Sequence, residues 1–319
     1  MKIRRKALHP AGFTLVELLV AMAVLALILV LIAQLMNSAT QTTTASQKRM
    51  DADSQARMIF DKLTVDFSRM LRRADVDYLA KGTVAPNSFG GAMTGNDFLA
   101  FYTAADGYYS AASTPPGRNS RNPVSLVAYF VSSDAQNRSQ LVRLSKGLGW
   151  EPNGTDWQDL AYLPVTVSLK WPNLFNRDTS QFSGMSDPDF QTIGDSVVRF
   201  EYTYLLKPAA AGSGPALVVL PYATDPALNH SSRDFHRDVA AIAVTLTILD
   251  PTSRVIVSDY SKLTSESLFP DAAGGTTPDE AWIAAINSPA FVSSASIPVG
   301  AASAVRVYQR YFYLDPDRQ

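Results

Sequence analysis

Residues 13–36 form an almost uninterrupted apolar run, and this run constrains the chain more than any other feature. A helix rises about 1.5 Å per residue, so the run would extend about 36 Å, enough to cross a hydrocarbon core of about 30 Å. The preceding segment, 1–12, has no acidic side chain, and its basic ones are Lys2, Arg4, Arg5 and Lys6. Because basic residues that flank a span stay on the cytoplasmic side, we predict one membrane span, with the chain after Met36 outside the cytoplasm.

Two details distinguish this run from an ordinary anchor or secretory signal. No small-x-small cleavage site follows the run, and the small residue Gly12 stands before it instead. Glu17 lies inside the run, where a carboxylate is costly unless it has a partner. Either Glu17 snorkels to the nearby interface, or it has a function beyond anchoring.

Residues 12–18, with the sequence GFTLVEL, follow the short basic leader and open the apolar run. In this arrangement they closely resemble the N-terminal signal of type IV prepilins and type II secretion pseudopilins. The resemblance implies that a prepilin peptidase cuts after Gly12 and methylates the new amino group of Phe13. It also implies that Glu17 pairs with the N-terminal ammonium of a neighbouring subunit during filament assembly.

The same resemblance implies the surroundings of the chain. The expected partners are prepilin peptidase, other pilin or pseudopilin subunits, the inner-membrane assembly platform and the lipid bilayer. The chain would cross the inner membrane once, with its N-terminus cytoplasmic and its C-terminal domain periplasmic, and then enter a pilus or pseudopilus. No nucleic-acid partner is expected, because 28 Lys and Arg against 29 Asp and Glu give a net charge of -1 rather than a strongly basic surface.

Residues 37–80 are predicted to continue the helix as an amphipathic segment. Beyond the polar, threonine-rich stretch 37–48, apolar residues recur with the spacing of one buried helix face. These apolar positions are Ala52, Ala56, Ile59, Leu63, Phe67 and Met70. The charged residues, Asp66 among them, fall largely between these positions. We predict one helix from residue 13 to about residue 73, and two helices joined in the threonine-rich stretch are the alternative.

After about Gly82 the pattern changes to short alternating runs separated by Gly, Pro, Asn and Asp, which is typical of antiparallel strands. The predicted strands are 98–103, 125–131, 140–144, 165–171, 197–206, 216–220, 239–249, 254–258 and 304–314. A late helix is predicted where Thr277 and Pro278 provide a capping residue and an N1 proline before the apolar stretch 281–286. Together these elements predict an α+β fold, in which the long N-terminal helix packs on a mostly antiparallel β-sheet domain at 81–319.

The order of segments in this domain resembles the larger minor pilins and pseudopilins of the W and J type. The segments that carry the likeness are 96–102, 127–131, 141–144, 197–204 and 239–249. Many major pilins close a C-terminal loop with a disulfide, whereas this chain has no cysteine. That difference favours a minor subunit.

The sequence gives no positive support for catalysis or for a bound cofactor. The absence of cysteine excludes a thiolate metal site, a cysteine nucleophile and an iron–sulfur centre. His230 and His236 alternate with arginines and fit a solvated loop better than a zinc site. The Asp-Pro-Asp sequences at 187–189 and 315–317 could offer oxygen ligands to calcium, but turn formation explains them without an ion. We therefore expect no catalytic residue, no metal and no cofactor.

These observations predict a non-enzymatic minor pilin or pseudopilin, a structural subunit of a type IV pilus or a type II secretion pseudopilus. The competing hypothesis is a membrane-anchored periplasmic binding protein or enzyme with a prepilin-like anchor. That hypothesis requires a convergent polar pocket with perturbed carboxylates or histidines, and the sequence offers no candidate for one. A major filament subunit is a further alternative, which abundance rather than sequence would decide.

Overall fold

The computed structural model describes residues 14–71, 95–104, 107–108, 121–122, 124–134, 138–147, 190–207, 217–218, 239–260, 262–271 and 277–314. It contains a long N-terminal helix followed by two mainly antiparallel sheets and several short helices, so the predicted α+β class is confirmed. The chain divides into two compact units, Met1–Gln47 and Lys48–Gln319. The domain boundaries predicted after residues 12, 36 and 80 stay predictions.

Helix α1 extends over Leu15–Ser68 without interruption, as the one-helix prediction requires. The threonine-rich stretch stays helical although its intrinsic helix propensity is mediocre. Four of its hydroxyls donate to the carbonyl oxygen one turn earlier, at 2.8–3.0 Å: Thr40, Thr42, Thr43 and Thr44. The helix ends before the predicted position near residue 73, because Met70 already forms an antiparallel bridge with Thr103.

The first sheet lies in the second unit, and its strands are β1 Phe98–Thr103, β2 Gly107–Tyr108, β3 Arg121–Asn122, β4 Ser125–Ser133, β5 Ser139–Gly147 and β6 Phe190–Gly194. The strand order is β1-β4-β5-β2-β3, with β6 also paired to β5. The pairings between the described strands are antiparallel except for β2 with β5. Strands β2, β3 and β6 lie outside the predicted strands, because strands of two to five residues show too little alternation to be recognised from the sequence.

The strands of the second sheet are β7 Val197–Leu206, β8 Leu217–Val218, β9 Val239–Ile248 and β10 Arg306–Tyr313. They lie in the order β10-β9-β7-β8, and their described pairings are all antiparallel. In the described part of the chain between β9 and β10, four short helices are present: α2 Pro251–Arg254, α3 Asp279–Asn287, α4 Phe291–Ala295 and α5 Val299–Ala302. The four strands predicted for this region lie where they were expected, while the strand predicted at 165–171 lies outside the described residues.

The strand predicted at 254–258 is wrong, because helix α2 ends at Arg254 and a turn and irregular backbone follow it. The Asp250 carboxylate caps this helix by accepting hydrogen bonds from the backbone N–H groups of Thr252 and Ser253, at 3.0 and 3.1 Å. Pro251 at the first helical position adds a second start signal.

The predicted late helix is present as α3, but it begins at Asp279 and has no side-chain cap. The Thr277 hydroxyl donates to the Asp279 carboxylate instead.

The part of α1 that lies in the second unit buries its apolar face against both sheets. All six apolar positions predicted from the helical spacing are buried, from Ala52 to Met70. The Phe67 ring stacks on Phe101 of β1 and lies tilted against Phe312 of β10, with centroid distances of 5.0 Å in both cases. Because removing a Leu or Phe side chain from water contributes about 1.5–3 kcal/mol, this face is a main source of the domain's stability.

Asp66 falls between the apolar positions of α1 in the sequence, yet the structure buries it. Its side chain is only 1% exposed. Arg143 of β5 donates to both carboxylate oxygens, from Nε at 2.6 Å and from Nη2 at 3.0 Å, and the Tyr129 hydroxyl of β4 donates to Oδ2. A carboxylate tolerates burial when it is paired and fully hydrogen-bonded. We call these three residues the buried ionic cluster.

The electrostatics of the buried ionic cluster keep Tyr129 protonated and Arg143 charged. Burial raises the pKa of the Tyr129 phenol well above its ordinary value, and the nearby Asp66 carboxylate raises it further. Burial alone would lower the pKa of Arg143, but its hydrogen bond to Asp66 raises that pKa above the ordinary value. The cluster therefore attaches α1 to the first sheet through two fixed hydrogen-bond donors.

The chain before β1 joins the first sheet to the second. Asp97 exchanges hydrogen bonds with β7, since its N–H donates to the Phe200 carbonyl at 3.0 Å and its carboxylate accepts from the Tyr202 N–H at 3.0 Å. Asn96 Oδ1 accepts from the Phe200 N–H at 2.7 Å. Gly95 starts this connection with a φ of +84°, a backbone conformation that favours glycine. The connection therefore depends on a residue without a side chain.

We expect Gly95→Ala to destabilise the second unit by roughly 2–4 kcal/mol. An alanine Cβ at this position would lie 2.7 Å from the Thr264 carbonyl oxygen and 2.9 Å from Arg199 Nη1, in addition to the strain at positive φ. Gly300→Ala is the matched control, because no atom lies within 4 Å of its Cβ position and helix α5 should gain up to about 1 kcal/mol. Urea unfolding of a fragment that starts at Lys48 measures both. Equal midpoints for the two variants would contradict the crowding at Gly95.

Candidate membrane anchor and assembly segment

Of the three residues predicted to carry processing and assembly, the structure describes Glu17. Gly12 and Phe13 lie outside the described residues. Glu17 lies in the first turn of α1 and is exposed. The structure therefore reports the surroundings of the carboxylate but not those of the predicted cleavage bond.

Thr14 and Glu17 form a reciprocal set of hydrogen bonds at the start of α1. The Thr14 backbone N–H and the Thr14 hydroxyl both donate to Glu17 Oε2, at 3.0 and 3.1 Å. In return, the Glu17 backbone N–H donates to Thr14 Oγ1 at 3.2 Å. The first helical hydrogen bond runs from the Leu18 N–H to the Thr14 carbonyl at 3.2 Å. This arrangement is a capping box, with Thr14 as the N-cap residue and Glu17 at the third helical position.

The capping box gives Glu17 a local partner that the sequence analysis missed. The signal was present, since a threonine followed three residues later by a glutamate, just before an apolar stretch, is the sequence form of this motif. The bonds neutralise no charge, because Thr14 offers only an amide and a hydroxyl. A carboxylate in apolar surroundings therefore still lacks a cation. Its predicted pairing with the Phe13 ammonium of a neighbouring subunit stays a prediction.

The N-terminal half of α1 presents apolar side chains around its entire circumference. Every residue described from Thr14 to Gln47 is exposed. The large apolar side chains between Leu15 and Met36 are 45–79% exposed, with Ile28 and Leu15 at the two limits. Among the described residues, α1 is the one helix long and apolar enough to cross a membrane. Exposing so many apolar side chains to water has a large free-energy cost. Such a surface is therefore stable in hydrocarbon or against other apolar helices.

A comparison with protein-family models gives one match, to a family described as the prokaryotic N-terminal methylation motif, over residues 9–33. The chain carries this methylation motif. The methylation motif is consistent with the signal of a type IV prepilin or pseudopilin, so the resemblance inferred from residues 12–18 is confirmed. No curated protein and no solved structure matches the chain. The likeness of the C-terminal domain to the W and J types stays a prediction.

The methylation motif and the apolar half of α1 occupy the same stretch of the chain. It covers Gly12, Phe13, the capping box and most of the apolar half of the helix. The coincidence of the motif with an exposed apolar helix supports a type IV pilin-like or pseudopilin precursor. It is also consistent with anchoring in the inner membrane through a single N-terminal helix.

The remaining candidate sites of the sequence lie mostly outside the described residues. This holds for His230, His236 and the two Asp-Pro-Asp sequences. Within the described part of the chain, no group of three or more His, Asp or Glu side chains is placed to hold a metal ion. The buried ionic cluster is fully occupied by its own three side chains and serves the fold.

Proposed function

We propose that the chain is a minor pilin or pseudopilin, a non-enzymatic structural subunit that a prepilin peptidase processes between Gly12 and Phe13. The single observation that carries this proposal is the methylation motif on an apolar helix whose first half is exposed on all sides. A peptidase cut at this bond leaves the apolar helix at the new N-terminus. The same helix can then serve first as a membrane span and later as part of a filament core.

The proposal places the domain after the span in the periplasm, with the new N-terminus at the cytoplasmic face of the inner membrane. The basic residues before the span support this orientation. The absence of cysteine and the large loop-rich domain favour a minor role over a major one. The expected partners are prepilin peptidase, other prepilin-type subunits and the inner-membrane assembly platform.

Mass spectrometry of the membrane-extracted protein tests the processing step. We expect a mature chain that starts at N-methylated Phe13 and no peptide from residues 1–12. Gly12→Ala should retard or block the cut, because a cleft that accepts only a backbone at this position has no room for a methyl group. Ala11→Gly alters the neighbouring residue and is the control, with processing expected to continue. An unprocessed chain in a strain with an active prepilin peptidase would rule out this function.

A further inference from the structure

Three large apolar side chains stay exposed at the end of the second sheet where β9 ends and β10 begins. Val255 is 71% exposed, Ile256 50% and Val299 70%. Val255 and Ile256 directly follow α2, and Val299 is the first residue of α5. Helices α2 and α5 contact each other, and their neighbours Val257 and Ala301 are buried in one apolar cluster. We call the three exposed side chains the α2–α5 patch.

The α2–α5 patch lies beside the point where α1 enters the second unit. Lys48 is the first residue of that unit, and its Nζ donates to Ser253 Oγ of α2 at 3.0 Å. The apolar run that can cross a membrane ends at Met36, only twelve residues earlier in the chain. Twelve residues reach at most about 40 Å in any conformation. A bilayer crossed by that run therefore always lies within reach of the patch.

The chain segments that carry the patch suit a lipid surface in their charge. Residues 251–258 and 281–305 contain no Asp or Glu, and their one charged residue is Arg254. Arg254 is 13% exposed and pairs with Asp134 at 2.8 Å, so it leaves the patch close to neutral. Exposed apolar side chains among neutral polar ones enter the boundary between head groups and acyl chains, where a carboxylate would meet repulsion from anionic lipids.

We propose that the α2–α5 patch docks on the surface of the bilayer that holds the span, with its three side chains between the lipid head groups. Docking removes these side chains from water, which is the source of its free energy. The inference rests on the proposed function, which supplies the anchoring of the chain in a membrane.

The size of the patch and the covalent connection favour lipid over a protein partner. A stable protein interface buries about 800 Å² and about 20–30 residues on each side, and three aliphatic side chains supply far less. A weak contact suffices when the chain itself holds the two surfaces together, because the connection raises their effective concentration. A second copy or another subunit has no such connection and would have to bind through the patch alone.

Fluorescence quenching in nanodiscs tests the docking on the full-length chain, one chain per disc. The chain has no cysteine, so Val255→Cys or Val299→Cys places a single bimane label in the patch. The discs contain phosphatidylethanolamine, a smaller share of phosphatidylglycerol and a lipid with a nitroxide on its head group. Because docking brings the label to the head groups, we expect quenching at least about twofold stronger than at the control position.

Tyr313→Cys provides the control position. Tyr313 is 74% exposed, which matches Val255 and Val299. It lies at the other end of β10 from Arg306, about 24 Å along the strand. Equal quenching at positions 255, 299 and 313 would overturn the inference. Shielding of position 255 from iodide that appears only with two chains per disc would also overturn it, because a second copy would then cover the patch.

A substitution in the patch tests whether its apolar side chains cause the docking. Val255→Asp should lower the quenching of a label at position 299 to the level of position 313, because the carboxylate is repelled from the anionic surface. Met58→Asp is the matched control, since Met58 is 57% exposed and lies ten residues beyond Lys48, about 15 Å along α1. It should leave the quenching at position 299 unchanged. Equal effects of the two substitutions would contradict docking through the patch.

A label within the span separates this inference from the proposed function. Leu25→Cys places bimane in the middle of the apolar run, where a nitroxide on the lipid acyl chain should quench it. If position 25 is quenched but position 255 behaves like position 313, the anchor stands and the docking is wrong. If position 25 is not quenched, the anchoring is wrong and the docking loses its basis. Quenching at positions 25, 255 and 299, but not at 313, is the result that supports the docking.

Discussion

Asp66→Ala is expected to destabilise the second unit by about 3–5 kcal/mol, which exceeds the effect of most single substitutions. The loss comes mainly from Arg143, whose side chain is 8% exposed and would keep its charge without a carboxylate. The Tyr129 hydroxyl would lose its acceptor at the same time. Urea unfolding of a fragment that starts at Lys48 should show a much lower midpoint, or no folded baseline.

Asp61→Ala is the matched control for Asp66→Ala, because Asp61 lies on the same helix and also pairs with an arginine. The Asp61 and Arg310 side chains are 64% and 42% exposed, and exposed pairs contribute only about 0–1 kcal/mol. A double variant, Asp66→Leu with Arg143→Met, removes both charges and should recover much of the lost stability, since apolar replacements of buried ion pairs are often neutral. Equal losses of unfolding free energy for Asp61→Ala and Asp66→Ala would mean that burial does not determine how much these ion pairs contribute to stability.

The sequence predicted the helical elements well where one repeating pattern determines them. The six apolar positions from Ala52 to Met70 follow helical spacing, and each is buried as expected. The same pattern does not show that Asp66, which falls between the apolar positions, is buried. Its partner Arg143 is 77 residues away in sequence, on a strand whose position was predicted but whose register was not. Local spacing contains no information about such a long-range pair.

Two local errors were avoidable, and one class of error was not. Asp250 followed by Pro251 is a helix-start signal that was present in the sequence and outweighs the short apolar run after it. The capping box of Thr14 and Glu17 was equally readable. The short strand β6 was not predictable, because it is stabilised by pairing with β5 rather than by its own residues. Strand pairing depends on tertiary contacts that a single sequence does not show.

Strand β10 shows how much of the arrangement of the sheet depends on topology. The sequence predicted the strand and its alternation, but neither its place at the edge of the second sheet nor which residues turn outward. Those two facts follow from the pairing with β9. In contrast, the N-terminal signal could be recognised without knowledge of the topology, because a peptidase recognises a processing signal as a contiguous segment of the chain.

Glu17→Leu and Glu17→Gln are expected to lose filament assembly to the same extent, by about tenfold or more, if the charge of Glu17 is what assembly requires. The two variants differ in the capping box. Glutamine at the third helical position can still accept from the Thr14 N–H, whereas leucine cannot. Comparison of the two therefore separates the role of the charge from the role of the hydrogen bonds seen at 3.0 and 3.1 Å.

Both variants should still be cut and should stay in the membrane, because the cleavage bond precedes Phe13 and the loss of a charge makes the span more apolar. Sheared filaments and membranes from the same cells measure the distribution, and the N-terminal peptide from residue 13 confirms processing. Normal assembly of both variants would leave Glu17 as a tolerated residue near the membrane edge. Normal assembly of Glu17→Gln alone would assign its role to the capping box. Failure of both, with processing intact, would support pairing of Glu17 with a cation on a neighbouring subunit. Under the proposed function, that cation is the ammonium that cleavage would create at Phe13.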